Sequence, residues 1–182
     1  SATNDGAVEK KEDATSASLG YKAGGLEATL AFENYGAGTA TTGKREATRA
    51  AISYKLTPEL RVMGFYQTAD SKATKGTPPV TTDEGADVTG LGLEYMITPT
   101  VALKGHYMDR KANLANSDSS MYTLGAEYRY DKALRFYASY ASLDNGTAVK
   151  LVPWKEGRTA APSAGTNGKT TSGVSIGMRY DF

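Results

Sequence analysis

At 182 residues, with 21 basic against 20 acidic side chains and no cysteine, the chain is sized for one ordinary domain; it can form no disulfide or thiolate metal site and lacks the basic field of a nucleic-acid binder. Mean hydropathy is -0.44, and no apolar run approaches the roughly 20 residues of a membrane helix. That excludes helical spans but not a membrane barrel, whose water-facing residues dilute the average. In chain order, residues 1–15 are polar and charged, carry no secretory leader and are expected to lie in an external loop, the chain being either mature or part of a longer one. Alternation then predicts about nine strands, over 16–23, 26–35, 47–56, 60–69, 87–97, 101–110, 121–130, 134–143 and 171–182.

The connections fall into two kinds. Gly24-Gly25, Thr57-Pro58-Glu59, Thr98-Pro99-Thr100 and Asp131-Lys132-Ala133 are tight turns built from turn-forming residues. The segments 36–46, 70–86, 111–120 and 144–170 are long and rich in Thr, Ala, Gly, Asn, Lys and Asp. Short turns at one end and long loops at the other are the asymmetry of an outer-membrane barrel. A loose repeat accompanies them: Ile52-Ser53-Tyr54-Lys55-Leu56-Thr57-Pro58 parallels Leu93-Glu94-Tyr95-Met96-Ile97-Thr98-Pro99 and Ala126-Glu127-Tyr128-Arg129-Tyr130-Asp131-Lys132. Its spacing varies, as hairpins around a barrel allow and a solenoid does not.

Sorting each strand by parity gives two faces. One holds Leu19, Tyr21, Leu26, Leu30, Phe32, Ile52, Tyr54, Leu60, Val62, Tyr66, Leu91, Leu93, Tyr95, Val101, Leu103, Tyr107, Leu124, Tyr128, Phe136 and Tyr140. The other holds Lys22, Glu27, Glu33, Arg49, Lys55, Arg61, Glu94, Lys104, His106, Arg110, Glu127, Arg129, Arg135, Arg179 and Asp181. In a closed barrel the charged side must be wet, because an Arg or Lys on the lipid side at mid-depth costs about 2–4 kcal/mol. Tyr21, Tyr54, Tyr95, Tyr128 and Tyr180 gather near the tight turns, and Phe32, Tyr35, Tyr66, Tyr107, Tyr122 and Tyr140 near the long loops. Two such aromatic girdles suit two membrane interfaces; a soluble sandwich has no need of them. The chain closes on Gly177-Met178-Arg179-Tyr180-Asp181-Phe182, apolar and aromatic at every second position.

That ending, together with Leu124-Gly125-Ala126-Glu127-Tyr128-Arg129-Tyr130-Asp131-Lys132 leading into Tyr137-Ala138-Ser139-Tyr140, resembles the general diffusion porins of Gram-negative bacteria, especially the betaproteobacterial type. The resemblance covers most of the chain in pattern and is specific over roughly its last 65 residues. It implies an antiparallel transmembrane β-barrel, all-β, of which this chain would be the C-terminal part of a barrel of roughly sixteen strands. It implies an outer-membrane location, contact with lipid and lipopolysaccharide, a homotrimer, passive diffusion of small hydrophilic solutes, no cofactor, no metal and no enzyme activity. Phe182 resembles the terminal signal read by the outer-membrane insertion machinery. The alternative left open is a complete eight-stranded barrel with a structural or surface-interaction role carried by its long loops, its interior filled by side chains.

The candidate pore-lining residues are Arg49, Arg61, Glu94, Lys104, His106, Arg110, Glu127, Arg129, Arg135 and Arg179. The arginine-rich stripe predicts a mild preference for anions. The candidate interface aromatics are Tyr21, Tyr54, Tyr95, Tyr128, Tyr180 and Phe182. His106 and Asp109, three apart, would point to opposite faces of a strand, which argues against catalysis. Gly165-Thr166-Asn167-Gly168-Lys169-Thr170 lacks the leading Gly of a phosphate loop, with Ser163 in its place, and precedes a strand rather than a helix. Asn145-Gly146-Thr147 matches a glycosylation sequon but reads as a turn. Val149-Lys150-Leu151-Val152-Pro153-Trp154 is too apolar for a freely solvated loop and is expected to fold over the pore mouth or pack on a neighbouring barrel.

Overall fold

The computed structural model describes residues 14–36, 42–75, 80–153 and 165–181. Among them lie ten strands and no helix: β1 (Ala14–Ala23), β2 (Leu26–Tyr35), β3 (Thr42–Lys55), β4 (Leu60–Lys75), β5 (Val80–Asp83), β6 (Ala86–Thr98), β7 (Val101–Ala112), β8 (Ser119–Arg129), β9 (Leu134–Asn145) and β10 (Thr171–Tyr180). They form one antiparallel sheet in the order β1-β2-β3-β4-β6-β7-β8-β9-β10, with β5 set against the far end of β4. All nine expected strands are present. The tenth, β5, is a four-residue strand inside the expected loop 70–86, too short and too Thr-rich to stand out as a periodic segment. Ala14 and Thr15 already pair with Tyr35 and Asn34 in β1; residues 1–13, Trp154 and Phe182 lie outside the described residues.

The tight turns share one device. Thr57 Oγ1 accepts the amides of Glu59 and Leu60 at 3.2 and 3.1 Å. Thr98 Oγ1 accepts those of Thr100 and Val101 at 3.3 and 3.0 Å. Asp131 Oδ1 accepts those of Ala133 and Leu134, both at 2.7 Å. A short polar side chain that binds the amides two and three residues on folds the chain locally without help from the sheet. This is the physical content of the sequence repeat. The first hairpin uses Gly24 instead, at φ +55°, where a side chain would be strained.

Among the described residues the sheet has no second layer. Among the described residues no large side chain is fully buried, and the buried apolar residues are Ala86, Ala102, Ala141 and Leu143. Leu19 is 72% exposed and Ile176 81%. A soluble domain of this size buries its apolar face against another layer; here that face has only its surroundings to meet.

Register confirms the parity sorting. The twenty apolar-face residues lie on one side and the fifteen charged-face residues on the other. The exception is Tyr35, grouped above with the loop-end girdle. Side chains alternate with period two, so Tyr35 shares the side of Glu33, and the Arg45 guanidinium carbon sits 5.7 Å from its ring centroid.

Candidate functional site

The charged face is organised by height. Near the tight turns, β1 to β10 place a row of seven cations, Lys55 opposite Arg61 among them, and four carboxylates. Lys22 Nζ lies 2.7 Å from Glu27 Oε1, and Arg61 Nη1 lies 3.8 Å from Glu27 Oε2 while donating to Ser53 Oγ at 3.3 Å. Lys104 Nζ bridges Glu127 at 2.9 Å and Glu94 at 3.3 Å, and Arg129 reaches the same two carboxylates at 2.8 and 3.7 Å. Arg135 Nη2 and Arg179 Nε share Asp181, each at 2.7 Å. Antiparallel register produces these contacts: Glu94 is opposite both Arg61 and Lys104, and Arg135 is opposite Arg129 and Arg179.

The row is therefore less cationic than a count of arginines suggests. Lys104 and Arg129 are balanced by Glu94 and Glu127, the latter only 8% exposed. The surplus of three positive charges lies at the Lys22–Glu27–Arg61 group, at the neighbouring Lys55 and at the Arg135–Asp181–Arg179 group. Towards the long loops, Arg49 is spent on Glu33 at 2.5 Å and Gln67 at 2.7 Å, and Arg110 donates to the Ser117 carbonyl at 2.7 Å. All ten candidate pore-lining residues thus share one face, but only some carry uncompensated charge.

Between the two charged levels the same face is apolar, which charge sorting alone missed. Met63 and Phe65 on β4 and Met108 on β7 flank Gly90 and Gly92 on β6. A cavity of about 330 Å³ opens there, lined also by Glu27, Thr29, Ala51, Ser53 and His106. The signal was available: Met63 and Phe65 have the parity of Arg61, and Met108 that of Lys104. His106 sits over Gly92, where a Cβ would come within 2.6 Å of its Cδ2. Asp109 lies on the opposite face, paired with Lys111 at 3.6 Å. Among the described residues no cluster of His, Asp or Glu could hold a metal.

The long-loop end is cross-linked. Gly146 and Ala148 donate backbone bonds to the Asp118 and Asn116 carbonyls at 2.8 and 2.9 Å, and Gly168 donates to the Gly146 carbonyl at 3.1 Å. Asn145, the sequon residue, clamps this rim: its amide donates to the carbonyls of Leu151 and Lys169, both at 3.0 Å, and its carbonyl accepts the Leu151 amide at 2.8 Å. Of the described part of the apolar loop, Pro153 is buried and Val149 and Val152 half-buried, while Leu151 is exposed.

A one-layer antiparallel sheet with an apolar outer band, a charged inner face, tight turns at one end and long loops at the other is the wall of a transmembrane β-barrel. The chain belongs to the Gram-negative porin family, whose model matches residues 1–148 and 79–182, and this places it in the outer membrane of a Gram-negative bacterium. Solved structures agree on the fold. An anion-selective porin from Comamonas acidovorans superposes with a TM-score of 0.80 at 20% identity, over 96% of this chain and 52% of that one. The outer-membrane OmpT of Vibrio cholerae gives 0.66 at 17%, over 93% and 56%. A NanC porin gives 0.53 at 12%, over 93% of both chains. This chain therefore spans about half the length of the first two. No curated protein sequence matches it.

Proposed function

We propose that this chain forms part of the wall of a water-filled outer-membrane channel for passive diffusion of small hydrophilic solutes, mildly favouring anions. The observation that carries the reading is the segregation of charge to one face of the sheet, whose turn-end row holds seven cations against four carboxylates; in a closed barrel this is the face that would line the water-filled lumen. A surplus of fixed positive charge along a pore raises the local concentration of anions. The similarity to a porin described as anion-selective supports the same sign. Tyr21, Tyr54, Tyr95, Tyr128, Tyr180 and Phe182 would seat the barrel at the lipid and lipopolysaccharide interface. A homotrimer follows by analogy with OmpT, solved in a trimer form. The channel needs no cofactor and no enzymatic step.

The test is a planar bilayer measurement on the native particle. Openings that close in three equal steps are expected, with a reversal potential in a KCl gradient of the sign that marks chloride preference. Replacing both Arg135 and Arg179 by Glu should move that potential towards cation preference, since it inverts the surplus beside Asp181. Firm cation preference in the unmodified channel would defeat the anion reading. Silence or minute conductance would move the function to the loops.

A further inference from the structure

We infer that the apolar cavity beside Arg61 is a subsite for monoanionic solutes with a single aromatic body, so that the channel selects aromatic anions over equally charged small hydrophilic ones. The inference rests on the channel reading above and names the solute class within it.

The wall residues supply two kinds of contact at once. Phe65, Met63 and Met108 offer a ring and two polarisable thioethers, and sulfur–aromatic contact favours a flat apolar ligand. Gly90 and Gly92 lie opposite Phe65 and Met63 in the register, so β6 adds backbone but no side chains there; His106 covers Gly92, and Phe65 and Met108 border Gly90. A Cβ on Gly90 would stand 3.3 Å from Phe65 Cβ and 3.5 Å from Met108 Cγ, so any larger residue would enter the space. The resulting cavity of about 330 Å³ is at the lower end of small-molecule sites and suits one substituted ring.

The charge lies at its rim. Arg61 Nη1 donates to Ser53 Oγ, and Ser53 lines the cavity. Glu27 lines it too, but is held by Lys22 at 2.7 Å and only distantly by Arg61 at 3.8 Å, which leaves the trio with one surplus positive charge. Arg61 and Met63 are two residues apart on the same face, about 7 Å along the strand, the scale of a ring with one anionic substituent. An ordinary wet lumen wall has no reason to remove side chains from β6 and line the gap with Phe and Met. Burying a ring there removes apolar surface from water, while the anionic group remains in the lumen beside the guanidinium.

The experiment compares two permanently charged monoanions with the same head group as blockers of KCl current through the whole channel. Benzenesulfonate should half-block at a concentration roughly tenfold below that of methanesulfonate. Phe65→Ser and Met108→Ser should each bring the two within about twofold, Phe65→Leu should keep most of the difference, and Arg61→Gln should weaken both blockers alike. Equal half-blocking concentrations in the unmodified channel would overturn the inference, as would a preference that survives both serine substitutions. Because the unmodified channel alone gives the first comparison, a variant that fails to assemble does not rescue the idea. Absence of any KCl conductance would instead overturn the channel reading, which separates the two failures.

Discussion

Asp118 and Asp83 do for the long loops what Thr57, Thr98 and Asp131 do for the tight turns: a carboxylate oxygen replaces a missing backbone partner. Asp118 Oδ1 accepts the Ala112 amide at 2.9 Å and Oδ2 stands 3.2 Å from Lys111 Nζ. Asp83 Oδ1 accepts the amides of Ser71 and Gly85, each at 2.9 Å. The Ala112 amide, then Lys111, holds the Asp118 carboxyl below its ordinary range; the Ser71 and Gly85 amides do the same for Asp83. A carboxylate whose pKa is lower in the ordered loop than in the disordered chain favours order above the disordered-chain value, about 3.9, and loses that contribution as pH falls through the lowered one. The rim should therefore stay closed at neutral pH and loosen only in strong acid. Hydrogen exchange of the Ala112, Ser71 and Gly85 amides, corrected for intrinsic rates, should lose protection there, and Asp118→Asn should abolish the pH dependence at Ala112. Protection unchanged through that range would refute this role.

At the scale of the strand, the two faces make unequal demands. Leu91 sits near the middle of β6 on the apolar face, 67% exposed, between Gly64 and Tyr107 across the register. Leu91→Arg should destabilise the folded barrel by about 2–4 kcal/mol, the mid-depth cost of a cation facing lipid. Thr123→Arg, on the charged face beside His106, should cost far less. Chemical unfolding in lipid vesicles reads the difference; equal costs would mean the assigned faces are wrong. This asymmetry is also why the strands were legible in the sequence. Lipid forbids charge at every second position over ten residues or so, and Leu26–Tyr35 and Thr171–Tyr180 carry that pattern plainly. The water side imposes no such rule. Met63, Phe65 and Met108 are tolerated there as readily as Arg61, so the apolar cavity emerges only when register sets β4, β6 and β7 side by side. The pairing of Lys104 with both Glu94 and Glu127 was hidden for the same reason, since strand parity fixes a side but not a neighbour. β5 was invisible because four residues, Val80–Asp83, hold too little pattern and gain their order from Asp83 and from β4.

At the scale of the whole wall, strand parity constrains closure. The nine strands of the continuous path are each antiparallel to the next, so β1 and β10 run in the same direction. Joining them to each other would make a parallel pair, and a second copy in the same membrane orientation would present its β1 to β10 in parallel as well. Closure by antiparallel pairs alone requires an odd number of further strands, giving the even count usual for bacterial barrels. The demand is energetic: an edge strand in hydrocarbon leaves amides and carbonyls without partners, each at a cost of several kcal/mol. The span of 52% of the Comamonas acidovorans porin and 56% of OmpT fits a wall completed by a comparable length of chain, whereas the 93% span of NanC fits a smaller barrel. The intact mass of the denatured subunit from conducting particles should therefore lie well above the 19.2 kDa of this sequence. A conducting particle whose only polypeptide has that mass would require a parallel seam or a strand drawn from residues outside the described ones. Its lumen would then be much narrower, because barrel diameter grows with strand number. Conductance and mass measured on one preparation must consequently agree: a wide channel implies a long subunit, and a short subunit implies a narrow channel.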